Sequence, residues 1–320
     1  MILIIGKVPP PYGGVTIHVS RLLKNLSKTS LEVSFLKLSF INLFKSIIYV
    51  KKNKIIHVIV SHPVVRFYFS ILGLILKKTI IITYTDNLNE FPSPFYNYLN
   101  LLSLKKVKYP LVLNKNSFEI AKKKNVNSKL ISAFIPPEID DSNLENLKKE
   151  LKFPDNDFNH VFCTNAFTYD LDKFNNEVYG ILPLVKIFNN LQSKCLIICD
   201  PSGNYKDFFK NNKIILNNNI KLLSKLNFSF IDVIKLSDCL IRATTTDGDS
   251  LSIHEAFFLK KDVIASDCVD RPLNCVLYKK NDFSELNMKI LGYKKNYKSN
   301  FDMNKNNGYD QIFDFYKKII

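Results

Sequence analysis

Apolar and polar residues alternate along the chain in a pattern that predicts short buried strands separated by amphipathic helices. Strands are predicted at 2–5, 55–60 and 79–84, because each is a continuous apolar run, and a helix is predicted at 15–26 from its helical spacing. The other predicted elements of the first half are strands at 31–36, 110–113 and 130–133 and helices at 67–76, 94–104 and 116–125. Buried strands that alternate with helices indicate a parallel sheet covered on both faces.

A Pro136-Pro137 pair interrupts this series and is followed by a polar stretch, 138–159, which we interpret as a linker with one short helix at 144–151. The second series has predicted strands at 161–163, 196–199, 214–216, 239–243 and 263–265 and predicted helices at 179–191, 230–235 and 251–259. The sequence therefore predicts an α/β protein with two Rossmann-like, doubly wound parallel-sheet domains facing a cleft, at 1–150 and 151–308. A helical pattern at 309–320 could pack back on the first domain.

The composition agrees with two soluble domains. A length of 320 residues is enough for two domains of about 150 residues each. Hydrophobic residues make up 46% of the chain and charged residues 23%, which argues against long disordered segments. The longest apolar stretch, 67–76, is about half of the roughly 20 residues that a membrane-crossing helix needs. The chain opens on an apolar strand instead of a secretory leader, so we expect a cytoplasmic protein.

The formal net charge of +16 favours an anionic partner. One interpretation is binding to an anionic membrane surface, where each nearby basic residue contributes roughly 1 kcal/mol. The other is lysine enrichment from an AT-rich, bacterial coding bias, which the many Asn, Lys and Ile residues indicate. No aromatic and basic motif of the RNA-binding type is present, so no nucleic acid is expected. The six cysteines lie mostly in apolar runs without zinc-site spacing, so reduced core thiols are expected and no metal.

A glycine turn follows the first predicted strand. Gly13 and Gly14 precede the helix at 15–26, where a helix N-terminus and bare backbone can approach a phosphate. The segment is not G-x-G-x-x-G, so the nicotinamide-cofactor fingerprint is absent. Such a turn also occurs for packing reasons alone, and both interpretations stay open.

The segment 241–256 carries the densest cluster of candidate site residues. A strand ends near Arg242, an acidic glycine loop with Asp247 and Gly248 follows, and a helix begins near Leu251 with Asp249 or Ser250 suited to precede it. Glu255 lies a little over one turn into that helix, where a carboxylate can accept both hydroxyls of a ribose. The structural alternatives are a capping box formed by Ser252 and Glu255, and a turn role for Asp247.

The chain resembles family 4 glycosyltransferases. The Asp247-x7-Glu255 spacing with Ala256, and the following Asp262-Val-Ile-Ala-Ser-Asp267, are similar to the acidic-x7-Glu region of that family. Further similar segments are Pro-Pro-x-Gly-Gly-x-x-x-His ending at His18, 113–118, 133–137, 177–180 and 200–203, so the resemblance spans nearly the whole chain in the same order. The resemblance implies the two-domain GT-B fold and a retaining, metal-independent glycosyltransferase without a cofactor.

The resemblance also implies residue roles. Glu255 would hold the donor ribose and Asp247 would face the transferring sugar, so both are predicted as catalytic. The backbone at Gly248, Asp249, Ser250 and Leu251 would meet the diphosphate or sugar hydroxyls. Phosphate contacts are further expected from Arg242 and from the glycine turn of the first domain. The candidate cleft residues are His18, His62 and Asp86.

The implied reaction is transfer of a sugar from a nucleoside-diphosphate sugar to a polyprenyl-linked or saccharide acceptor, in the synthesis of a bacterial surface polysaccharide such as O-antigen, capsule or exopolysaccharide. Three departures from the family pattern bear on the identity of the donor and on activity. The stretch 165–180 lacks the Arg and Lys pair that family members use to clamp the diphosphate, Thr85 stands where many relatives have a histidine, and Asp247 stands where a glutamate is commoner. The alternatives are a non-enzymatic basic binding protein on a decayed transferase scaffold, and a sugar-nucleotide epimerase of the same fold.

The segment 37–54 mixes aromatic, aliphatic and lysine residues, as an interfacial helix would. It predicts a protein held peripherally on the inner face of the cell membrane, and an ordinary packed helix with a solvated end is the alternative.

Overall fold

The computed structural model describes residues 1–10, 12–89, 91, 93–152, 158–172, 174–224, 229–296, 302 and 306–320. The chain divides into two compact units. The first comprises Met1–Pro137, Gly248–Ser250 and Asn304–Ile320, and the second comprises Glu138–Asp247 and Leu251–Met303. The long N-terminal segment of the first unit ends at Pro137, whereas the sequence pattern placed the domain boundary after residue 150. Residues 153–157 of the interpreted linker lie outside the described residues.

The first unit contains a parallel six-stranded sheet of order β2-β1-β3-β4-β5-β6. Its strands are β1 (Ile2–Gly6), β2 (Val33–Lys37), β3 (Ile55–Val60), β4 (Thr79–Tyr84), β5 (Tyr109–Val112) and β6 (Lys129–Leu130). All residues of β1 and β3 are buried. These strands are continuous apolar runs because helices cover both faces of the sheet.

The helices of the first unit are α1 (Gly14–Leu26), α2 (Phe40–Lys52), α3 (Pro63–Ile75), α4 (Pro94–Lys106), α5 (Lys115–Lys124) and the C-terminal helix (Gly308–Ile319). Leu3 and Ile5 of β1 join one hydrophobic cluster with α2 to α5, while Ile2 and Ile4 join another with α1 and the C-terminal helix. Since successive strand residues point to opposite faces, the two helix sets cover opposite faces of this sheet.

The second unit also contains a parallel six-stranded sheet, of order β12-β11-β10-β7-β8-β9. Its strands are β7 (His160–Asn165), β8 (Lys194–Asp200), β9 (Ile220–Ser224), β10 (Cys239–Arg242), β11 (Asp262–Ser266) and β12 (Val276–Tyr278). Its helices are α6 (Leu144–Leu151), α7 (Ile181–Asn189), α8 (Asn204–Asn211), α9 (Phe230–Leu236), α10 (Leu251–Phe258) and α11 (Phe283–Leu291). Helix α6 belongs to this unit because Leu147 and Leu151 pack among its strands.

Both sheets are doubly wound, which confirms the predicted pair of Rossmann-like domains. In the first sheet the winding direction reverses between β1 and β3, and in the second it reverses between β7 and β10. In open α/β sheets, ligands bind outside the carboxyl ends of the strands at this switch point. The two switch points therefore mark where each unit would bind a ligand.

The strand predicted at 214–216 is wrong. Lys213 has a positive φ of 53° that ends α8, and Ile215 is 75% exposed, so this apolar run is the turn that follows a helix. The strand lies at Ile220–Ser224 instead, after the Asn217-Asn218-Asn219 run. It is the edge strand of its sheet, and its residues Lys221 and Ser224 make it appear polar in the sequence. The pattern also missed α8, β12 and α11.

Candidate functional site

The switch point of the second unit is spanned by a hydrogen-bonded pair. Asn165 is the last residue of β7 and Arg242 is the last residue of β10, and these two strands are neighbours. Nη1 of Arg242 donates to the backbone oxygen and to Oδ1 of Asn165, at 3.3 Å each. The guanidinium also lies 5.5 Å from the centre of the Tyr179 ring. Arg242 therefore occupies the crevice between the ends of two strands with its side chain 11% exposed.

Asp247 is held by two arginines. Its carboxylate accepts from Nε and Nη2 of Arg242 at 2.9 and 3.1 Å, and from Nη1 of Arg271 at 2.9 Å. Burial alone would raise the pKa of Asp247, but the charges and hydrogen bonds of the two guanidinium groups lower it to about 2. The carboxylate is therefore ionised at neutral pH and both of its oxygens are engaged.

Sequence reasoning missed Arg271. Its side chain is only 1% exposed and donates further to the oxygen of Ser266, to Oγ1 of Thr244 and to Sγ of Cys268, at 3.1, 3.0 and 3.3 Å. Its position five residues after the end of β11 was the available signal. The carboxyl ends of β10 and β11 lie side by side, so an arginine in the loop after β11 can reach the loop after β10.

Glu255 is the fifth of the eight residues of α10 and is buried, with 3% of its surface exposed. Helix α10 begins at Leu251, so Ser252 is its second residue and cannot precede the helix as a capping box requires. The neighbouring His254 is 6% exposed, so both side chains are enclosed. The predicted loop residues Gly248, Asp249 and Ser250 directly precede this helix.

The N-terminus of α7, which follows β7, is occupied by the protein itself. The carboxylate of Glu177 accepts from the backbone N–H groups of Ile181 and Leu182 at 2.8 and 2.9 Å, and from the hydroxyl of Tyr205. Burial raises the pKa of Glu177, and these three donors oppose that rise. Gly180, with a φ of 66°, forms the turn between this carboxylate and the helix.

The glycine turn of the first unit is open. Gly13 precedes α1 with extended backbone, and its N–H donates to Oγ1 of Thr16 at 3.0 Å. A Cβ added at Gly14 would have no atom within 4 Å. Packing therefore does not require a glycine at position 14.

The candidate histidines occupy different environments. His18 is 3% exposed, and its Nδ1 lies 2.8 Å from the oxygen of Ala133. Burial lowers the pKa of His18, which the hydrogen bond to Ala133 opposes. His62 precedes α3 at the carboxyl end of β3, is exposed, and contacts the Tyr96 ring edge-on. Of the two, only His62 is exposed to solvent at the carboxyl end of a strand.

Asp86 pairs with Arg66, a fully buried arginine that the sequence analysis did not single out. Nη2 of Arg66 donates to Asp86 at 2.7 Å, and its Nε donates to the oxygen of Val60 at 2.8 Å. The same guanidinium also donates to Thr85 and Asn100. Arg66 thus ties the end of β3 to the loop after β4, and Asp86 remains 35% exposed.

Within the part of the chain that the structure describes, no group of three or more His, Cys, Asp or Glu side chains is arranged to hold a metal ion. The six cysteines are free, and three of them are buried. Burial raises the pKa of Cys163, Cys195 and Cys275 to about 12.

Solved structures share this fold over nearly the whole chain. Anabaena HepE in complex with UDP has a TM-score of 0.69 at 14% identity, covering 99% of this chain and 100% of that one. The lipopolysaccharide outer core galactosyltransferase WaaB, in its apo form, has a TM-score of 0.62 at 14% identity, covering 99% of both chains. The complex of S. aureus MnaA with UDP has a TM-score of 0.64 at 13% identity, covering 100% and 97%.

No protein-family model matches the sequence, and no curated protein matches it. At these identities the structural likeness shows the fold, which is the two-domain Rossmann-like arrangement of the GT-B class that the sequence predicted.

Proposed function

We propose that the protein is a retaining glycosyltransferase that moves a sugar from a nucleoside-diphosphate sugar to a lipid-linked saccharide acceptor. In this proposal it acts in the synthesis of a bacterial surface polysaccharide, needs no metal or cofactor, and uses neither nucleic acid nor a nicotinamide. Two of the proteins with the same fold were solved with UDP bound, and another is named a galactosyltransferase, which supports a nucleotide-sugar donor.

The observation that carries the proposal is the set of residues at the second switch point. The acidic-x7-Glu segment, which the sequence resemblance assigned to the donor, begins in the loop after β10 and continues into α10. Arg242, at the end of that strand, spans the crevice to β7. A cation and a helix start that lie together at a switch point suit the diphosphate of a nucleotide sugar.

In this proposal Glu255 accepts hydrogen bonds from the ribose hydroxyls, and Arg242 contacts the diphosphate. The backbone around Asp249 and Leu251 meets the phosphates or the sugar hydroxyls. Gly13 and Gly14 approach a phosphate from the first unit. No paired carboxylates or Ser-His-Asp arrangement is needed, because the leaving phosphate takes part in deprotonating the acceptor.

Thermal unfolding in the presence of nucleotides tests the donor. The unfolding temperature would be measured with UDP, GDP, ADP, dTDP and their sugars added to three proteins. These are the wild type, Glu255→Ala and the control Glu150→Ala, which replaces an exposed glutamate of α6. We expect one base to stabilise the wild type by about 2.7 kcal/mol at 100 times Kd. We expect Glu255→Ala to lower kcat/KM by roughly one to two decades through lost hydrogen bonds.

Loss of the shift in Glu255→Ala with its retention in Glu150→Ala would support the donor site. No shift with any nucleotide would favour the basic binding protein on a decayed scaffold. A shift with conversion of the sugar nucleotide in the absence of any acceptor would favour the epimerase. For a transferase, proton NMR of the first product formed reports whether the anomeric configuration is retained.

The membrane part of the proposal rests on α2. Ser46 and Val50 of this helix are fully buried, whereas Phe44, Ile48 and Tyr49 are 68%, 58% and 44% exposed. The lysines of the helix are Lys45, Lys51 and Lys52. An exposed apolar face with interspersed lysines suits the boundary of an anionic bilayer. Within the described residues, no helix is long and apolar enough to cross a membrane.

Sedimentation with vesicles tests this surface. Wild-type protein should bind vesicles with 30% phosphatidylglycerol more strongly than neutral ones, by about tenfold at low salt. Phe44→Ser with Ile48→Ser should remove most of that binding. The control is Val126→Ser, which removes an apolar side chain that is 76% exposed outside this helix. Equal binding of the double variant and the wild type would contradict a role for α2.

A further inference from the structure

The charges of Arg242, Asp247 and Arg271 at the second switch point do not balance among themselves. Arg242 and Arg271 are both within 2.9 Å of the same oxygen of Asp247, so two guanidinium groups share one carboxylate. These three groups carry one net positive charge. Buried charge is costly unless an opposite charge accompanies it, so the arrangement favours an anionic ligand beside the network.

The two arginines differ in what they can reach. All three nitrogens of both guanidinium groups donate to protein atoms, but the side chain of Arg271 is only 1% exposed. Arg242 is 11% exposed and lies between the ends of β7 and β10, with its guanidinium above the ring of Tyr179. A ligand in the crevice can therefore touch Arg242, while Arg271 is enclosed behind Asp247.

The usual phosphate donors of this position are not available in the second unit. In a Rossmann unit the phosphates lie at the N-terminus of the helix after the first strand. Here the first amides of α7 already donate to the carboxylate of Glu177. A phosphate there would displace or repel that carboxylate, so the phosphate contacts proposed at this crevice come from Arg242 and from the start of α10 instead.

We propose that Arg271 neutralises Asp247 and thereby leaves the charge of Arg242 available for the donor diphosphate, so that Asp247 and Arg271 are positioning residues. This inference rests on the proposed function. It differs from the role that the sequence resemblance implied for Asp247, because the carboxylate turns toward two arginines and orients them instead of facing the transferring sugar.

The test separates the phosphates from the nucleoside. Calorimetric Kd values would be measured for the nucleoside, its monophosphate and its diphosphate, with the base that stabilises the wild type best. Arg242→Gln should raise the Kd of the nucleoside diphosphate by at least about tenfold, as expected for a lost charge-assisted hydrogen bond. The Kd of the nucleoside should change by less than about twofold. Arg271→Met should act in the same direction, because Asp247 then neutralises Arg242.

The decisive variant removes both partners of the neutralised pair. In Arg271→Met with Asp247→Asn, Arg242 is again the one net charge of the network, so diphosphate affinity should return to within about threefold of the wild type. Arg271→Lys keeps the charge and should also retain diphosphate affinity within that range. If Arg271→Met does not fold, Arg271→Gln replaces it in both the single and the double variant.

Absence of rescue in the double variant would overturn the inference and indicate that Arg271 contacts the phosphate itself. An equal loss of nucleoside and diphosphate affinity in Arg271→Met would also overturn it, since the residue would then act only on the structure of the unit. Both results leave the proposed function intact as long as the wild type binds a nucleoside diphosphate. A wild type that binds no nucleotide would overturn the proposed function and this inference together.

Discussion

The two switch points of the molecule share a plan but are filled with different chemistry. In the first unit, β1 is paired with β3 through Ile4 and His57, and His57 is a neutral, fully buried residue between the hydroxyls of Tyr316 and Thr83. In the second unit, the corresponding strands end in an ionised network around Arg242. The loops that follow also differ, since the first is open and the second is closed by a carboxylate.

This difference teaches that two sheets of the same class can carry different chemistry at equivalent positions. The first helix of the first unit presents a bare glycine turn, which suits close approach of a ligand backbone or phosphate. The first helix of the second unit has its amides occupied by Glu177, and the cation at this switch point is Arg242 at the neighbouring strand end. We therefore expect substitutions in the second turn to affect folding and substitutions in the first turn to affect ligands.

The largest effect on stability is expected for Gly180→Ala. An added Cβ would lie 2.3 Å from the oxygen and 2.7 Å from the Cβ of Ala243, and the φ of 66° disfavours any L side chain. We expect a loss of about 3 kcal/mol or more in the free energy of unfolding, measured in urea. Because Ala243 directly follows Arg242, diphosphate affinity should fall as well. A loss below about 1 kcal/mol would mean that the second turn is not closed by packing.

The order of strands and helices was predictable because their periodicity reflects burial. The predicted bounds of two central strands, Ile55–Val60 and Thr79–Tyr84, equal the observed bounds. The central strands of a sheet covered on both faces are continuous apolar runs, which are easily recognised in a sequence. The edge strand Ile220–Ser224 was missed because an edge position tolerates Lys221.

The site was predictable only in part. The acidic loop, Glu255 and Arg242 were singled out from the sequence, whereas Arg66 and Arg271 were not. Arginines are mostly exposed in proteins, so the sequence carries no local signal that these two are buried. Their burial depends on which strands are neighbours, as when β11 places Arg271 beside the loop after β10. The occupied start of α7 likewise depends on a turn that brings Glu177 back onto the helix.

A smaller effect is expected from pH. Burial, with a contribution from the charge of His18, lowers the pKa of His57 to about 3. Since this lies below the ordinary value of 6.5, its stabilising contribution is complete above pH 6.5 and is lost as pH falls toward 3. Between pH 7.5 and pH 5 we expect a loss of about 2 kcal/mol in unfolding free energy that His57→Gln does not show.

The second unit supplies the control for that titration. The lowered pKa of Asp247, about 2, means that its contribution is complete above its ordinary value of 3.8 and is lost only as pH falls toward 2. The unfolding free energy of Asp247→Asn, measured in urea, should therefore change between pH 7.5 and pH 5 by the same amount as that of the wild type. Parallel pH profiles for the wild type and His57→Gln would show that other groups carry the acid sensitivity.

The smallest effect on stability is expected for Gly14→Ala, the counterpart of the substitution in the second turn. Position 14 is the first residue of α1 and has open space around an added Cβ, so the unfolding free energy should change by less than about 0.5 kcal/mol, and an increase is compatible with helix propensity. If the turn binds a phosphate, the methyl group that this substitution adds would clash with that ligand.

Turnover of the donor by Gly14→Ala should then fall by at least about tenfold with folding unchanged, since a small misplacement of reacting groups has effects of that size. Unchanged turnover in a stable Gly14→Ala protein would leave the first turn without a ligand contact and would assign donor recognition to the second unit alone.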